Sequence, residues 1–272
     1  MVSSVNVNTG ALIALQNLNK TTKLLEVSQL RITTGLKVNG PKDNAASFAI
    51  AQRLRGDIKG IESVKIALAT GESIANVAVT AGQSISDLLV EMKAKAVQAN
   101  QAGLDSASRS ALHSDFTALR DQITTIVSSA SFNNKNLITS GATALSVLSS
   151  IDGSTITVSA QSLDVTALGI SSSSLANSSA AATALTSINS AISLAANKLA
   201  ALGSAVKQIE IQTEFTTSLI DILKEGVGNL VDADLAEESA NLQSLQIKQQ
   251  LGVQALAIAN ASPTSILALF RP

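Results

Sequence analysis

The sequence predicts a mainly α-helical protein: an elongated antiparallel coiled-coil or helical bundle with paired terminal helices and a small β-hairpin insertion. Three observations predict it. Glycine and proline are scarce, 15 and 3 of 272 residues, so turns are few and elements long. Apolar residues recur at alternating steps of three and four over long stretches, which places one coiled-coil seam on one face. One interval in the middle switches to a period of two around an Asp-Gly pair, the pattern of a hairpin.

The elements follow in order. The first helix is broken by Thr34-Gly35 and Asn39-Gly40-Pro41, where glycine permits left-handed backbone and proline removes a donor. Leu54, Ile58, Ile61, Leu68 and Ala75 mark the seam of the second, which stops at Gly103-Leu104-Asp105. Asp105 or Ser106 is placed to cap the third. Leu112, Phe116, Leu119, Ile123 and Ile126 form its seam, which ends at Phe132-Asn133-Asn134-Lys135-Asn136. Beyond it, Leu145, Val147 and Ile151 share one period-two face, Ile156 and Val158 another, with Asp152-Gly153 as the turn. Ser171–Ser174 and Asn177-Ser178-Ser179 then read as a Ser-rich loop, a flexible arm that is plain linker before it is a modification site.

The seam resumes at Leu185, Ile188, Ile192, Ala195, Leu199, Leu202, Val206 and Ile209. It keeps phase through Thr213, Thr216, Ile220, Leu223, Val227 and Leu230. Gly226 and Gly228 weaken this last long helix near its centre, and Pro263 ends it. A helix over about 180–225 runs roughly 65–70 Å at 1.5 Å per residue, hence the expected elongation. The organisation is therefore 1–40 and 232–272 as terminal helices, 41–140 and 180–231 as a helical bundle, and 141–179 as the insertion.

Composition excludes several functions. Nineteen Lys and Arg against 20 Asp and Glu leave a net charge of −1, which gives no electrostatic case for nucleic acid. There is no cysteine and only one histidine, so thiol chemistry and multi-histidine metal sites lack their parts. No stretch is long and apolar enough for membrane insertion. The N-terminus lacks the charged and apolar regions of a cleavable signal peptide. His113-Ser114-Asp115 holds the letters of a triad, but consecutive helical residues point apart and cannot form a relay. The stretch reads as solvent-facing. Asp232, Asp234, Glu237 and Glu238 lack the spacing of a Ca²⁺ loop and read as helix N-terminal carboxylates. No catalytic, cofactor or metal residue is assigned, and the chain is read as no enzyme.

The ends carry the functional signal. Residues 1–19 and 249–270 are free of charge and rich in Val, Leu and Ile. A two-helix hairpin cannot cover that much apolar surface, and termini fray unless tied down. Neighbouring copies would cover it. Heterologous contacts of that kind close into rings or run on as helical filaments.

The ends also resemble bacterial flagellin. The matching residues are Asn6-Val7-Asn8-Thr9, Ala14-Leu15-Gln16-Asn17-Leu18, Lys20-Thr21 and Arg31 through Asn39. Lys42-Asp43-Asn44-Ala45-Ala46, Ala49-Ile50-Ala51, Ala96-Val97-Gln98-Ala99 and Ser131-Phe132-Asn133 continue the match. At the other end it is Asp232-Ala233-Asp234-Leu235-Ala236-Glu237-Glu238, Ala259-Asn260 and Leu267-Ala268-Leu269-Phe270. The resemblance implies a homopolymer, the extracellular flagellar filament used for swimming. It implies an inner core of paired terminal helices, whose interface would use Leu12, Ile13, Leu15, Leu18, Leu251, Val253, Leu256, Ile258, Leu267, Leu269 and Phe270. It implies type III export without a cleaved signal, and the export apparatus, cap and hook-junction proteins as partners. A hook-filament junction protein, or a coiled-coil adaptor or tip protein of a secretion system, is the alternative.

Two departures from the family pattern stand out. The insertion is short, so the large outer domains of longer flagellins are missing. The patch read by the Toll-like flagellin receptor is altered, with Glu91 in place of Arg, Lys95 in place of Leu, an acid kept at Asp115, and Leu119 in place of Arg.

Overall fold

The computed structural model describes residues 7–268, and their side chains as far as Ala261. Five helices and one hairpin make up the described chain: α1 (Thr9–Thr34), α2 (Ala45–Ala99), α3 (Ser106–Ser129), β1 (Leu145–Leu148), β2 (Thr155–Val158), α4 (Ser178–Val231) and α5 (Leu235–Ala268). They sort into two compact units. One comprises the residues up to Gly56 and from Ile222 on; the other is Asp57–Asp221.

The Asp57–Asp221 unit holds the core. Ile85, Leu89 and Met92 of α2, Phe116 and Ile123 of α3, and Ile188, Leu202 and Ile209 of α4 are fully buried. Every position of the seam read from Leu185 to Leu230 is buried or half-buried. The α2–α3 turn carries Gly103 at φ +92°. Asp105 caps α3, its Oδ1 accepting from Ser108 N at 2.7 Å. Arg109 ties the turn down by donating to the carbonyls of Ala99 and Leu104. α3 ends in a tight reversal through Asn133 and Asn134, both at positive φ, a conformation asparagine tolerates better than most residues.

β1 and β2 pair antiparallel, with Leu145 opposite Val158 and Val147 opposite Ile156. The reversal is longer than the two-residue turn expected. Ser149 N donates to Ser154 O at 2.8 Å, and Ile151 sits in the loop instead of on the strand. The hairpin lies on α2 over glycines. A Cβ on Gly71 would meet Val147 Cγ2 at 2.4 Å, and one on Gly60 would meet Ile151 Cγ2 at 3.0 Å. Gly82 lies under Leu163 and Leu199 in the same way. Gly60, Gly71 and Gly82 are eleven residues apart, about three helical turns, so they share one stripe.

The Ser-rich segment is packed, not a flexible arm. Leu163, Leu168, Ile170 and Leu175 are all buried. Gln161 N and Leu163 N donate to Leu137 O and Ile138 O, both at 2.8 Å. Arg120 donates to Ser171 O at 3.0 Å, and Leu175 N to His113 Nδ1 at 3.2 Å. His113 is accordingly half-buried and not solvent-facing. Four large apolar side chains without regular spacing still have surface to bury, and burial orders the segment.

The last long helix is two helices. α4 runs unbroken through Gly226 and Gly228, and the break falls at Asp232–Asp234. There Asp234 Oδ1 accepts from Ala236 N and Glu237 N, at 2.9 and 3.2 Å. Glu237 and Glu238 occupy the first turn of α5, where carboxylates favour the helix dipole. Pro263 does not end α5, which is helical through Ala268. A proline inside a helix strips the carbonyl four residues back of its donor. That carbonyl belongs to Ala259, and Asn8 Nδ2 donates to it at 2.7 Å.

Candidate functional site

The unit built from the two ends of the chain is an antiparallel pair of α1 and α5. Asn8 caps α1, its Oδ1 accepting from Ala11 N at 3.0 Å, while its Nδ2 holds Ala259. Further along, Leu18 Cδ1 lies 3.2 Å from where a Cβ on Gly252 would stand. At the far end Ser28 Oγ donates to Glu238 Oε2 at 2.9 Å, and Arg31 Nη1 to Oε1 at 2.7 Å. The two connections meet beside this lock. Gly35 closes α1 at φ +72°, and its carbonyl accepts from Ala233 N at 2.9 Å. Lys37 N and Val38 N both donate to Val231 O.

Each helix of the pair spends one seam on the other. On α1 the covered positions are Ala11, Ala14, Leu18, Thr21, Leu25 and Ser28; on α5 they are Glu238, Leu242, Leu245, Gln249, Gly252, Leu256 and Ala259. Both series step by three and four, as antiparallel coiled-coil seams do. Most of the other large apolar side chains described on the two helices face outward. Ile13 is 59% exposed, Leu251 56% and Ile258 73%. Leu12, Leu15, Leu24, Val27, Leu30, Ile247 and Val253 are exposed as well.

Of the interface residues expected from sequence, Leu12, Ile13, Leu15, Leu251, Val253 and Ile258 therefore lie on the outward faces. Leu18 and Leu256 are half-buried in the seam. Leu267 belongs to α5, with its side chain outside the described ones, and Leu269 and Phe270 lie outside the described residues. The expected receptor-patch residues come together elsewhere, on α2 and α3. Glu91, Lys95, Asp115 and Leu119 line one shallow depression. Lys95 Nζ donates to Asp115 Oδ2 at 2.7 Å, and that hydrogen bond raises the lysine above its usual range.

Glu238 is the polar centre of the terminal pair. Its carboxyl is held below the ordinary 4.5, chiefly by the Arg31 hydrogen bond and despite desolvation, with help from Ser28 and the charges of Arg31 and Lys37. A carboxyl lowered in the folded state stabilises it fully above the unfolded value. That contribution fades as pH falls through the lowered one. Acid below about pH 4.5 should loosen the pair. Glu238→Gln should remove this pH dependence and cost about 1.5–3 kcal/mol at neutral pH, the scale of a charged hydrogen bond. Melting followed by circular dichroism from neutral to acidic buffer checks both. A variant whose midpoint still falls with acid as in the parent would place the sensitivity elsewhere.

Among the described residues there is no cluster of metal-binding side chains, and no helix is long and apolar enough to cross a membrane. Two family models match the chain. The bacterial flagellin N-terminal helical region covers residues 5–143, and the C-terminal helical region covers 185–270. The chain belongs to the bacterial flagellin family. It is similar to flagellin FljM of Caulobacter vibrioides, 49% identical over 99% of both chains. It is also similar to a flagellin of Brucella melitensis, 35% identical over 99% of this chain and 100% of that one. A solved structure from Vibrio parahaemolyticus, described as a flagellar hook-associated protein, covers 70% of this chain and 100% of its own, with TM-score 0.58 at 12% identity. That likeness is one of fold alone. This flagellin is a structural subunit that polymerises with itself into the extracellular flagellar filament used in motility, and it is not an enzyme.

Proposed function

We propose that the outward faces of α1 and α5 are the surfaces that neighbouring subunits bury, so that segments 1–40 and 232–272 form the inner part of the filament. One observation carries this reading: both helices satisfy their partner with a single seam and still expose a second apolar face. A monomer keeping such faces in water is an aggregation hazard, whereas copies packed around one another bury them. Each large side chain covered contributes roughly 1.5–3 kcal/mol. The two faces are different surfaces, so the contact is heterologous and continues from copy to copy.

Ile13→Lys and Leu251→Lys test it. Both positions are exposed in the single chain, so folding should be unchanged, while each neighbour contact would have to desolvate an unpaired ammonium. The variants should give the parent's circular dichroism and fail to elongate on seeds, as seen by electron microscopy. Normal filaments from both variants would remove these faces from the interface.

The export apparatus, cap and hook-junction proteins are the partners that fit such a chain, with passage through a type III channel before folding at the tip. Recognition by the Toll-like flagellin receptor is weak in this reading. Glu91 puts an acid in the depression, and the internal pair occupies Lys95 and Asp115. Reversed charge at an interface costs complementarity. A cell reporter assay should show signalling well below that of a flagellin with the usual arginines, and Glu91→Arg with Leu119→Arg should raise it. Full-strength signalling by the parent protein would sink the idea.

A further inference from the structure

The loop between α1 and α2 holds a chemical arrangement distinct from the outward faces of α1 and α5. Asn39-Gly40 is the one Asn-Gly pair in the sequence. Asn39 is exposed. Space around Gly40 is open, since a Cβ built there would meet nothing within 4 Å. Pro41 starts a turn in which Asp43 N donates to Gly40 O at 3.1 Å. That turn brings the Asp43 side chain back over the pair. Its Oδ2 accepts from Asn39 N at 3.0 Å and from Gly40 N at 3.1 Å.

We propose that Asn39 is a self-modifying residue, losing its side-chain amide to attack by the Gly40 backbone nitrogen with Asp43 as the proton acceptor. The Gly40 nitrogen bonds to the Asn39 carboxamide carbon, and its proton passes to Asp43 Oδ2, which already lies within the reach a general base needs. The carbon–nitrogen bond of the carboxamide breaks, and ammonia leaves with that proton. The resulting cyclic imide takes up water and opens to aspartate or isoaspartate. Glycine at the attacking position matters because it has no Cβ to block approach. Adjacency in the chain removes the entropic cost of encounter. The product adds a negative charge beside Asp43. In the isoaspartate form it also inserts a methylene into the backbone immediately after Val38, whose N–H holds Val231 O. A subunit fixed in an extracellular polymer carries the change for the life of the polymer, so the loop records filament age.

The test uses the full-length protein kept in sterile neutral buffer and sampled over time. Trypsin cuts after Lys37 and Lys42, so residues 38–42 leave as one peptide whose amide, aspartyl and isoaspartyl forms separate by chromatography and mass. Asn134, also exposed, serves as internal reference. The Asn39 amide should disappear well before that of Asn134, with isoaspartate as a product. Gly40→Ala should slow the loss. Asp43→Asn should slow it by about tenfold or more, a modest share of the roughly 10²–10⁴ a positioned base supplies. Persistence of the Asn39 amide for as long as that of Asn134 overturns the proposal. Loss in Asp43→Asn at the parent rate, with helicity unchanged by circular dichroism, overturns the part assigned to Asp43.

Discussion

A chain beginning at Gln29 is expected to fold in its Asp57–Asp221 unit, remain monomeric at any practical concentration, and form no filaments even on seeds. A chain ending at Gln249 should behave the same way. The first deletion removes Ile13 and Leu15 from the outward face of α1, together with Leu18, Leu25 and Ser28 of its seam. It also leaves Glu238 without Ser28, with Arg31 at a frayed end. The second removes Leu251, Val253 and Ile258 and takes away the carbonyl that Asn8 holds. Either way the surviving terminal helix loses its partner, and an isolated helix of this kind is marginal in water. The deleted segments lie outside the Asp57–Asp221 unit. Its melting transition should survive while the assembly signal vanishes. Sedimentation and electron microscopy after seeding read the outcome directly. Filaments from either shortened chain would mean that assembly does not run through the terminal pair.

Much of this was legible in the sequence, and the reason is period. The seam from Leu185 to Leu230 holds position by position, because a long helix packing on neighbours must repeat its apolar face at steps of three and four. Leu145, Val147, Ile156 and Val158 revealed the hairpin by the opposite period. The misreadings came where local chemistry yields to contacts distant in sequence. Pro263 signals a stop when read alone, yet the helix continues, and Asn8, far away in the chain, supplies a donor to the carbonyl that a proline leaves without one. Ser171–Ser174 look like linker, yet Ile170 and Leu175 on either side are buried and His113 accepts from the segment. The outward faces of α1 and α5 were foreshadowed by the absence of charge. Which side of each helix faces its partner was not, since α5 spreads apolar and polar residues evenly around its axis and α1 carries apolar side chains on more than one face. In the sequence Glu238 reads only as a helix N-terminal carboxylate. Its pairing with Ser28 and Arg31 depends on the register of two helices more than two hundred residues apart.

The glycines of α2 show the same limit, and they give the second large effect. Gly71→Val should detach the hairpin. Glycine inside a helix costs about 1 kcal/mol against alanine, so a residue there that tolerates a side chain gains stability on substitution. Gly71 does not tolerate one. Its missing Cβ would lie 2.4 and 2.7 Å from the two methyls of Val147, and Val147 is buried with β2's Val158 beside the core. Both methyls cannot turn away at once, because valine is stiff at χ1. The hairpin must lift. Overpacking of this kind costs roughly 1–3 kcal/mol, and lifting exposes Val147 and Val158 in addition, each worth roughly 1.5–3 kcal/mol. The helix-propensity gain offsets only part of that. Gly56 is the control, on the same helix with nothing within 4 Å of its built Cβ. Gly56→Ala should leave stability unchanged or raise it slightly. Thermal melts of the two variants, with amide exchange at Ser146 and Thr157 to report the hairpin, separate a docking site from a merely small residue. Equal melting points would mean that the hairpin is not anchored through Gly71. A selective loss of protection in β1 and β2, with α2 still helical, places the anchor at Gly71, where the missing side chain leaves room for Val147.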